Sequence, residues 1–154
     1  MKKIIITFVS LIFYSTSFSQ NTYDYEMQAN VKIRNDAGET LENKDVTLIF
    51  HFTENSKNLQ KCQGFQYTSY GSGLEMVKGF STFINTSNWQ YSSESSNNLR
   101  TVYSNASRFA YFPRNSNNMI QANRELVLIK YSTGSQAILI VGYDGTNTLV
   151  VTVN

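Results

Sequence analysis

Residues 23–36 read YDYEMQANVKIRND, and this stretch decides the fold. Every odd position from Tyr23 to Ile33 is apolar, whereas every even position from Asp24 to Arg34 is polar. Alternation with period two over twelve residues is the pattern of a half-buried β-strand, in which successive side chains point to opposite faces. The odd residues are therefore predicted to face a core, and the even residues to face water.

A second strand follows closely along the chain. The sequence NDAGE at residues 35–39 supplies Asn, Asp and Gly, the residue types that tolerate the backbone of a tight turn. The sequence VTLIFHF at residues 46–52 then alternates again, with Val46, Leu48 and Phe50 on one face. Two alternating strands joined by a turn are expected to pair as an antiparallel hairpin.

The C-terminal third predicts three more strands. They are ELVLIKY at residues 125–131, AILIVGY at 137–143 and TNTLVVTV at 146–153. The nearly continuous apolar run at 137–143 is expected of a strand that is covered on both faces. Asp144-Gly145 between two such runs predicts a hairpin with a two-residue turn.

The middle of the chain fits two interpretations. The sequences SGLEMVKGFSTFI at residues 72–84 and NNLRTVYSNASRFA at 97–110 both place apolar residues at helical spacing. The Thr, Val, Tyr and Phe residues in them also suit strands, and Gly79 disfavours a helix. Residues 72–110 are therefore left open between helix and strand.

The first 19 residues read as a secretory signal peptide. A basic start at Lys2 and Lys3 precedes an apolar run, Ile4 to Phe13, and then small polar residues. The run is about half of the roughly 20 residues that a membrane span needs, so no integral membrane span is expected. We expect an exported protein, whether secreted, periplasmic or on the cell surface. Residues 20–154 then form a single β-rich domain.

The charge of the exported chain excludes one class of partner. Lys2 and Lys3 leave with the signal, so 13 basic residues become 11, against 11 acidic ones. No cluster of Lys and Arg remains, and a nucleic-acid partner is therefore not expected.

Residues suited to catalysis or to metal binding are few. The chain has one histidine, His51, and one cysteine, Cys62, and its acidic residues are scattered singly. This set predicts no metal site, no cofactor and no catalytic residues, so the protein is not expected to be an enzyme. The lone Cys62 is expected to be buried, because free cysteine packs as a small hydrophobic residue.

Aromatic residues are the one enriched class, at 14% of the chain. Trp89 and Tyr91 lie in a polar Ser/Asn-rich segment, and Tyr67 and Tyr70 flank a Thr-Ser pair. These four residues are the candidate binding residues, since exposed aromatics beside Asn and Ser can stack on sugar rings or anchor a protein partner. The alternative is that they cover the edges of the core.

Two resemblances extend this interpretation. The sequence VKIRNDAGETLENKDVTLIFHF at residues 31–52 resembles the opening hairpin of secreted immunoglobulin-like and transthyretin-like β-sandwich modules. That resemblance covers the first hairpin alone and implies a non-catalytic module used for adhesion, spacing or assembly.

The second resemblance concerns the C-terminal strands, residues 123–154. They resemble the histidine-bearing strands of papain-like and bacteriocin-leader-type cysteine peptidases, in which GHAVLIVGYD is a common form. Gln136 stands here at the histidine position, Ser72 is the best candidate at the nucleophile position, and Asn154 falls where the orienting residue would be. Because glutamine cannot act as the general base, the resemblance implies a catalytically inactive peptidase homologue with an α+β fold.

Taken together, the sequence predicts a mainly β fold. We expect an antiparallel β-sandwich or sheet, with one or two short helices allowed in the middle. The expected function is that of a secreted, non-enzymatic interaction module that binds a protein or a glycan. The alternative is the inactive papain-like homologue.

Overall fold

The computed structural model describes residues 23–67, 81–82, 84–111 and 120–154. The predicted signal peptide, residues 1–19, lies outside these ranges, so export stays a prediction. Within the described ranges the chain is almost entirely strand, which confirms the mainly β fold class.

Nine strands and one short 3-10 helix make up the described chain. They are β1 (Tyr23–Arg34), β2 (Thr40–Phe52), the 3-10 helix (Leu59–Lys61), β3 (Cys62–Tyr67), β4 (Ser81–Thr82), β5 (Gln90–Asn97), β6 (Arg100–Tyr111), β7 (Ile120–Tyr131), β8 (Gln136–Val141) and β9 (Thr148–Val153).

All nine strands belong to one antiparallel sheet. Its order is β3-β2-β1-β9-β8-β7-β6-β4, with β5 also paired to β6. Because β7 occupies one edge of β6 along its whole length, β4 and β5 lie one after the other on the opposite edge. The predicted hairpins β1-β2 and β8-β9 are both present.

The two ends of this strand order meet. The backbone N–H of Ile84, just beyond β4, donates to the carbonyl of Gln63 in β3 at 2.7 Å. The sheet therefore curls round until its edge strands are joined, and it encloses one apolar core. Buried side chains of β1, β2, β3, β7, β8 and β9 contribute to that core together with Leu59 and Ile84.

The alternation in the first hairpin sets the inner face of the sheet. Ala29, Val31 and Ile33 are buried in β1, as the odd-face prediction requires. In β2 the even residues from Val46 to Phe52 are buried, while the intervening side chains are partly exposed. Phe50 packs against Phe52 and Phe65, with ring centroids 6.2 and 5.5 Å apart. The core face predicted from period two is therefore confirmed for these buried residues, whereas Tyr25 and Met27 are only partly buried and Tyr23, also predicted to face the core, is 44% exposed.

The second of the two ambiguous segments is a strand. Residues 100–111 form β6 and pair with β7 over twelve positions, and residues 97–99 form the β5-β6 turn. Leu99, placed on the apolar face of the helical alternative, is 65% exposed, whereas Asn105 and Ser107 are buried. The strand forms because Thr, Val and Tyr suit a pleated surface and both edges of β6 are paired. Residues 72–80 lie outside the described ranges.

The β8-β9 connection is longer than the two-residue turn predicted from Asp144-Gly145. Strand β8 ends at Val141 and β9 begins at Thr148, so the two-residue turn is wrong although the hairpin is right. Positive φ angles occur at Gly142 (62°) and Gly145 (106°), and the backbone N–H of Gly145 donates to the Gly142 carbonyl at 2.9 Å.

The Asp144 side chain holds this longer loop in place. Its carboxylate accepts hydrogen bonds from the backbone N–H groups of Asn147 (2.8 Å) and Thr146 (3.0 Å) and from the Asn147 amide (2.7 Å). Burial raises the pKa of the Asp144 carboxyl, but these hydrogen bonds outweigh burial and lower the pKa below its ordinary value. An aspartate that bonds to the backbone ahead of it thus favours a loop of six residues.

Membrane-spanning helices were also sought within residues 23–67, 81–82, 84–111 and 120–154. No helix there has the length and the apolar content that crossing a bilayer requires.

Candidate interaction surface

One end of the sheet carries a connected set of tyrosine, lysine and glutamine side chains. We call it the aromatic end and define it by Tyr25, Tyr91, Tyr103, Lys57 and Lys130, with the 3-10 helix between them. The β2-β3, β5-β6 and β7-β8 connections all lie at this end, because every strand pair in the sheet is antiparallel.

The 3-10 helix fixes the centre of the aromatic end. The side-chain oxygen of Asn58 caps it by accepting from the Gln60 backbone N–H at 3.1 Å. Leu59 is fully buried in the core, and its backbone N–H donates to the side-chain oxygen of Gln136 in β8 at 3.0 Å. Gln136 also donates from its amide nitrogen to the Lys57 carbonyl at 3.3 Å. Gln60 itself is partly buried, and its side-chain oxygen accepts a hydrogen bond from Lys130 at 2.9 Å.

Tyr91, Tyr103 and Lys130 form the first aromatic group of this end. Tyr91 in β5 is directly opposite Tyr103 in β6, and the two rings meet edge to face with centroids 6.0 Å apart. The ammonium of Lys130 lies 5.7 Å from the centre of the Tyr103 ring and donates to the Gln60 side-chain oxygen at 2.9 Å. Tyr91 is 61% exposed, so its ring contacts Tyr103 while most of the residue is open to solvent.

Tyr25 and Lys57 form the second aromatic group. The Lys57 ammonium lies 5.4 Å from the centre of the Tyr25 ring, and that ring packs edge to face on Phe52 at 5.7 Å. The Tyr25 hydroxyl donates to the Asn55 side chain. In both groups, therefore, a lysine ammonium lies over a tyrosine ring that packs against another aromatic side chain.

The two lysines that define the aromatic end form no ion pair among the described residues, although Lys61 of the 3-10 helix pairs with Glu54 there. Among the described residues, the ion pairs are His51–Asp24 at 2.8 Å and Lys61–Glu54 at 3.5 Å. Neither pair includes Lys57 or Lys130. Partial burial lowers the pKa of the Lys130 ammonium.

Trp89 precedes β5 and joins its start to the core. It is partly buried, packs against the core, and its indole N–H finds no acceptor among the described residues. The segment before it is tied down by buried polar groups: the Asn105 amide donates to the Asn85 carbonyl at 2.8 Å, and Ser107 donates to Asn105 at 3.1 Å. The backbone N–H of Asn85 in turn donates to the Ser107 hydroxyl at 3.3 Å.

The four aromatic residues predicted to bind thus have different positions. Tyr91 is exposed, and Trp89 is packed partly inside. Tyr67 is the last residue of β3, and its side chain, like the whole of Tyr70, lies outside the described part of the chain. Sequence reasoning missed Tyr103, Lys130 and Gln60, because strand pairing brings Tyr103 and Lys130 to this end, the 3-10 helix brings Gln60 to Lys130, and no local pattern marks them.

His51 and Cys62 lie on opposite faces of the sheet. The His51 ring bonds to Asp24 on the outer face, whereas Cys62 is buried in the core, as predicted, and its thiol donates to the Gly64 carbonyl at 3.2 Å. In the part of the chain that the structure describes, His, Cys, Asp and Glu side chains form no group of three that could hold a metal ion.

Burial makes the Cys62 thiol unreactive in the folded protein. Desolvation raises its pKa to about 12, although hydrogen bonds with the backbone act in the opposite direction and lower the pKa. The reactive thiolate is therefore scarce at neutral pH. We expect Cys62 to resist a thiol reagent in native buffer and to react promptly in denaturant. A Ser93→Cys variant, which adds an exposed thiol, should label at once in native buffer and serves as control. Fast native labelling of the unmodified chain would contradict the buried position.

Gln136 has a structural role at the position where the peptidase resemblance places a histidine. Its side-chain oxygen and nitrogen are both engaged, with Leu59 and Lys57. Ser72 lies outside the described residues, and Asn154 is exposed.

The sequence and fold were also compared with known proteins. No family model matches the chain, and no curated protein and no solved structure is significantly similar to it.

Proposed function

We propose that this protein is an exported, non-enzymatic interaction module that binds an extracellular protein or glycan through its aromatic end. The observation that carries the proposal is the position of Tyr91. Its ring is 61% exposed, yet it is held edge to face by Tyr103.

An exposed aromatic ring whose motion is restricted by packing is suited to binding. Tyrosine buries a large area on contact and loses little conformational entropy, because its side chain has two rotatable bonds. Tyr103 restricts the Tyr91 ring, and Trp89 anchors the start of β5 against the core. A contact residue that is ordered before binding loses less freedom on association, which favours affinity.

The position of the few chemically reactive groups supports a non-enzymatic role. The buried Cys62 thiol and the His51 ring face opposite sides of the sheet, and the partner of His51 is Asp24. A nucleophile and its base must lie within hydrogen-bond reach of each other, and these two side chains do not. The apolar run at residues 4–13 supports export, since it has the length of the apolar region of a signal peptide.

Binding to an array of ligands tests the proposal. The mature chain, residues 20–154, is applied to neutral polysaccharides, acidic polysaccharides and purified extracellular proteins. Tyr91→Ala should weaken the binding seen with the unmodified chain by at least about 2 kcal/mol, the threshold that marks a dominant contact residue. The matched control is Leu41→Ala, which removes an exposed apolar side chain at the start of β2, at the opposite end of the sheet, and should bind as the unmodified chain does.

Two results would overturn the proposal. One is equal binding by the Tyr91→Ala and Leu41→Ala variants. The other is cleavage of any ligand on the array, with activity lost on changing Cys62 or Ser72, because it would make the protein an enzyme.

A further inference from the structure

The uncompensated lysines of the aromatic end identify a ligand class, and this step rests on the proposed function. We infer that the aromatic end binds an acidic saccharide, with a sugar ring on Tyr91 and a sugar carboxylate at Lys130. The inference narrows the open choice between protein and glycan to one chemical class.

Lys130 is the group that points to an anion. Among the described residues, its ammonium interacts with the Gln60 oxygen at 2.9 Å and with the Tyr103 ring at 5.7 Å, and neither carries a full negative charge. Lys130 is also partly withdrawn from water, and a partly desolvated cation interacts more strongly with an anion than a fully hydrated one. A lysine has three donors, so Lys130 can bond to a carboxylate while it keeps its bond to Gln60.

Lys57 supplies a second cation at the same end. It lies over Tyr25 and, like Lys130, takes part in neither of the two ion pairs found among the described residues. Gln136 places the two lysine residues at the same end, because its side chain bonds to the Lys57 backbone carbonyl while its own backbone is paired with Lys130 across β7 and β8. Repeated cations suit a polymer that carries a carboxylate on each sugar unit.

The surroundings of Tyr91 favour a sugar over an acidic peptide. Tyr91 lies on the same face as its cross-strand partner Tyr103, away from Gln90 and Ser92, and it is 61% exposed, so part of the ring is free for a flat ligand. The negative face of an aromatic ring attracts the weakly positive C–H groups of a sugar ring.

Comparing a charged polymer with its uncharged ester distinguishes stacking on the Tyr91 ring from recognition of the carboxylate. Polygalacturonate carries a carboxylate on each sugar, and its methyl ester keeps the sugar but removes the charge. By calorimetry at low salt, the mature chain should bind polygalacturonate and bind the ester at least about tenfold more weakly, the ratio expected when a hydrogen bond to a charged group is lost. Added salt should weaken the binding of polygalacturonate alone.

Matched lysine variants then locate the anion site. Lys130→Gln should weaken polygalacturonate binding about tenfold and leave binding of the ester unchanged. Lys44→Gln makes the same change in charge on β2, eight residues from Phe52 and so about 26 Å along the strand from the aromatic end. It should bind both polymers as the unmodified chain does, and the melting temperatures of both variants confirm that each is folded.

The possible failures are distinguishable. Equal binding of both polymers, with dependence on Tyr91, would overturn the acidic-sugar inference and leave the proposed function standing. Binding of poly-glutamate as tightly as polygalacturonate would also overturn it, in favour of an acidic peptide. The acidic-sugar inference would likewise be overturned if polygalacturonate did not bind at all while another array ligand bound through Tyr91. Binding of polygalacturonate that is lost in Lys44→Gln but kept in Lys130→Gln would overturn the location of the anion site.

Discussion

Replacing Phe50 with alanine is expected to lower the free energy of unfolding by about 3–5 kcal/mol, the usual cost of removing a buried aromatic ring. Phe50 is fully buried, and β2, its strand, pairs with β1 on one side and β3 on the other. Its ring contacts Phe52 and Phe65, so alanine would leave a cavity between side chains that the sheet holds apart. Urea denaturation followed by circular dichroism measures the loss.

The control for Phe50→Ala is Leu99→Ala. Leu99 is 65% exposed at the β5-β6 turn, and its removal should change stability by less than about 0.5 kcal/mol. If Phe50→Ala cost no more than Leu99→Ala, β2 would not line the core and the curled sheet described above would be wrong.

The second large effect is expected from Asn105→Leu. This change should lower the free energy of unfolding by about 3 kcal/mol, since two buried or partly buried polar groups each lose a partner. Leucine has about the size of asparagine, so the shape is kept while the donor and the acceptor are removed. The Asn85 carbonyl would lose the Asn105 amide, and the Ser107 hydroxyl would lose its acceptor. Because Asn85 begins the segment that leads to Trp89 and Tyr91, ligand binding should weaken as well.

Asn123→Leu is the matched control for Asn105→Leu. Asn123 lies on β7, the neighbouring strand, and its side chain is exposed, so the same change should be nearly neutral for stability. A stable Asn105→Leu variant would contradict the role of this hydrogen-bonded group in holding the segment from Asn85 to Trp89.

The strands that could be predicted are those with a strong local pattern. The twelve alternating residues from Tyr23 to Arg34 fixed both the strand and its buried face, because the period of two is set by the pleat alone. The β8-β9 hairpin was found from its two apolar runs, but the length of its loop was not. The carboxylate of Asp144 bonds to residues two and three positions ahead, and this bonding decided the loop against the shorter turn.

The aromatic end could be predicted only in part. Trp89 and Tyr91 stand out as aromatics in a polar segment, but the sequence does not show which of the two is covered. The answer depends on Asn105 and Ser107, which tie the preceding segment to the inner face of β6. Lys130 joins the site through two strand pairings, β5 with β6 and β6 with β7, and Gln60 joins it through the 3-10 helix. The spacing of residues along the chain does not show which distant residues become neighbours in the fold.

Nuclear magnetic resonance of the isotope-labelled mature chain tests the location of the binding surface most directly. The array ligand that binds most tightly is titrated into the protein, and the amide resonances that shift are assigned. We expect the largest shifts at Tyr91, Tyr103, Gln60 and Lys130, with little change at Leu139 and Val141 on the outer face of β8. Shifts concentrated at Leu139 and Val141, with Tyr91 and Lys130 unmoved, would contradict the aromatic end as the contact surface.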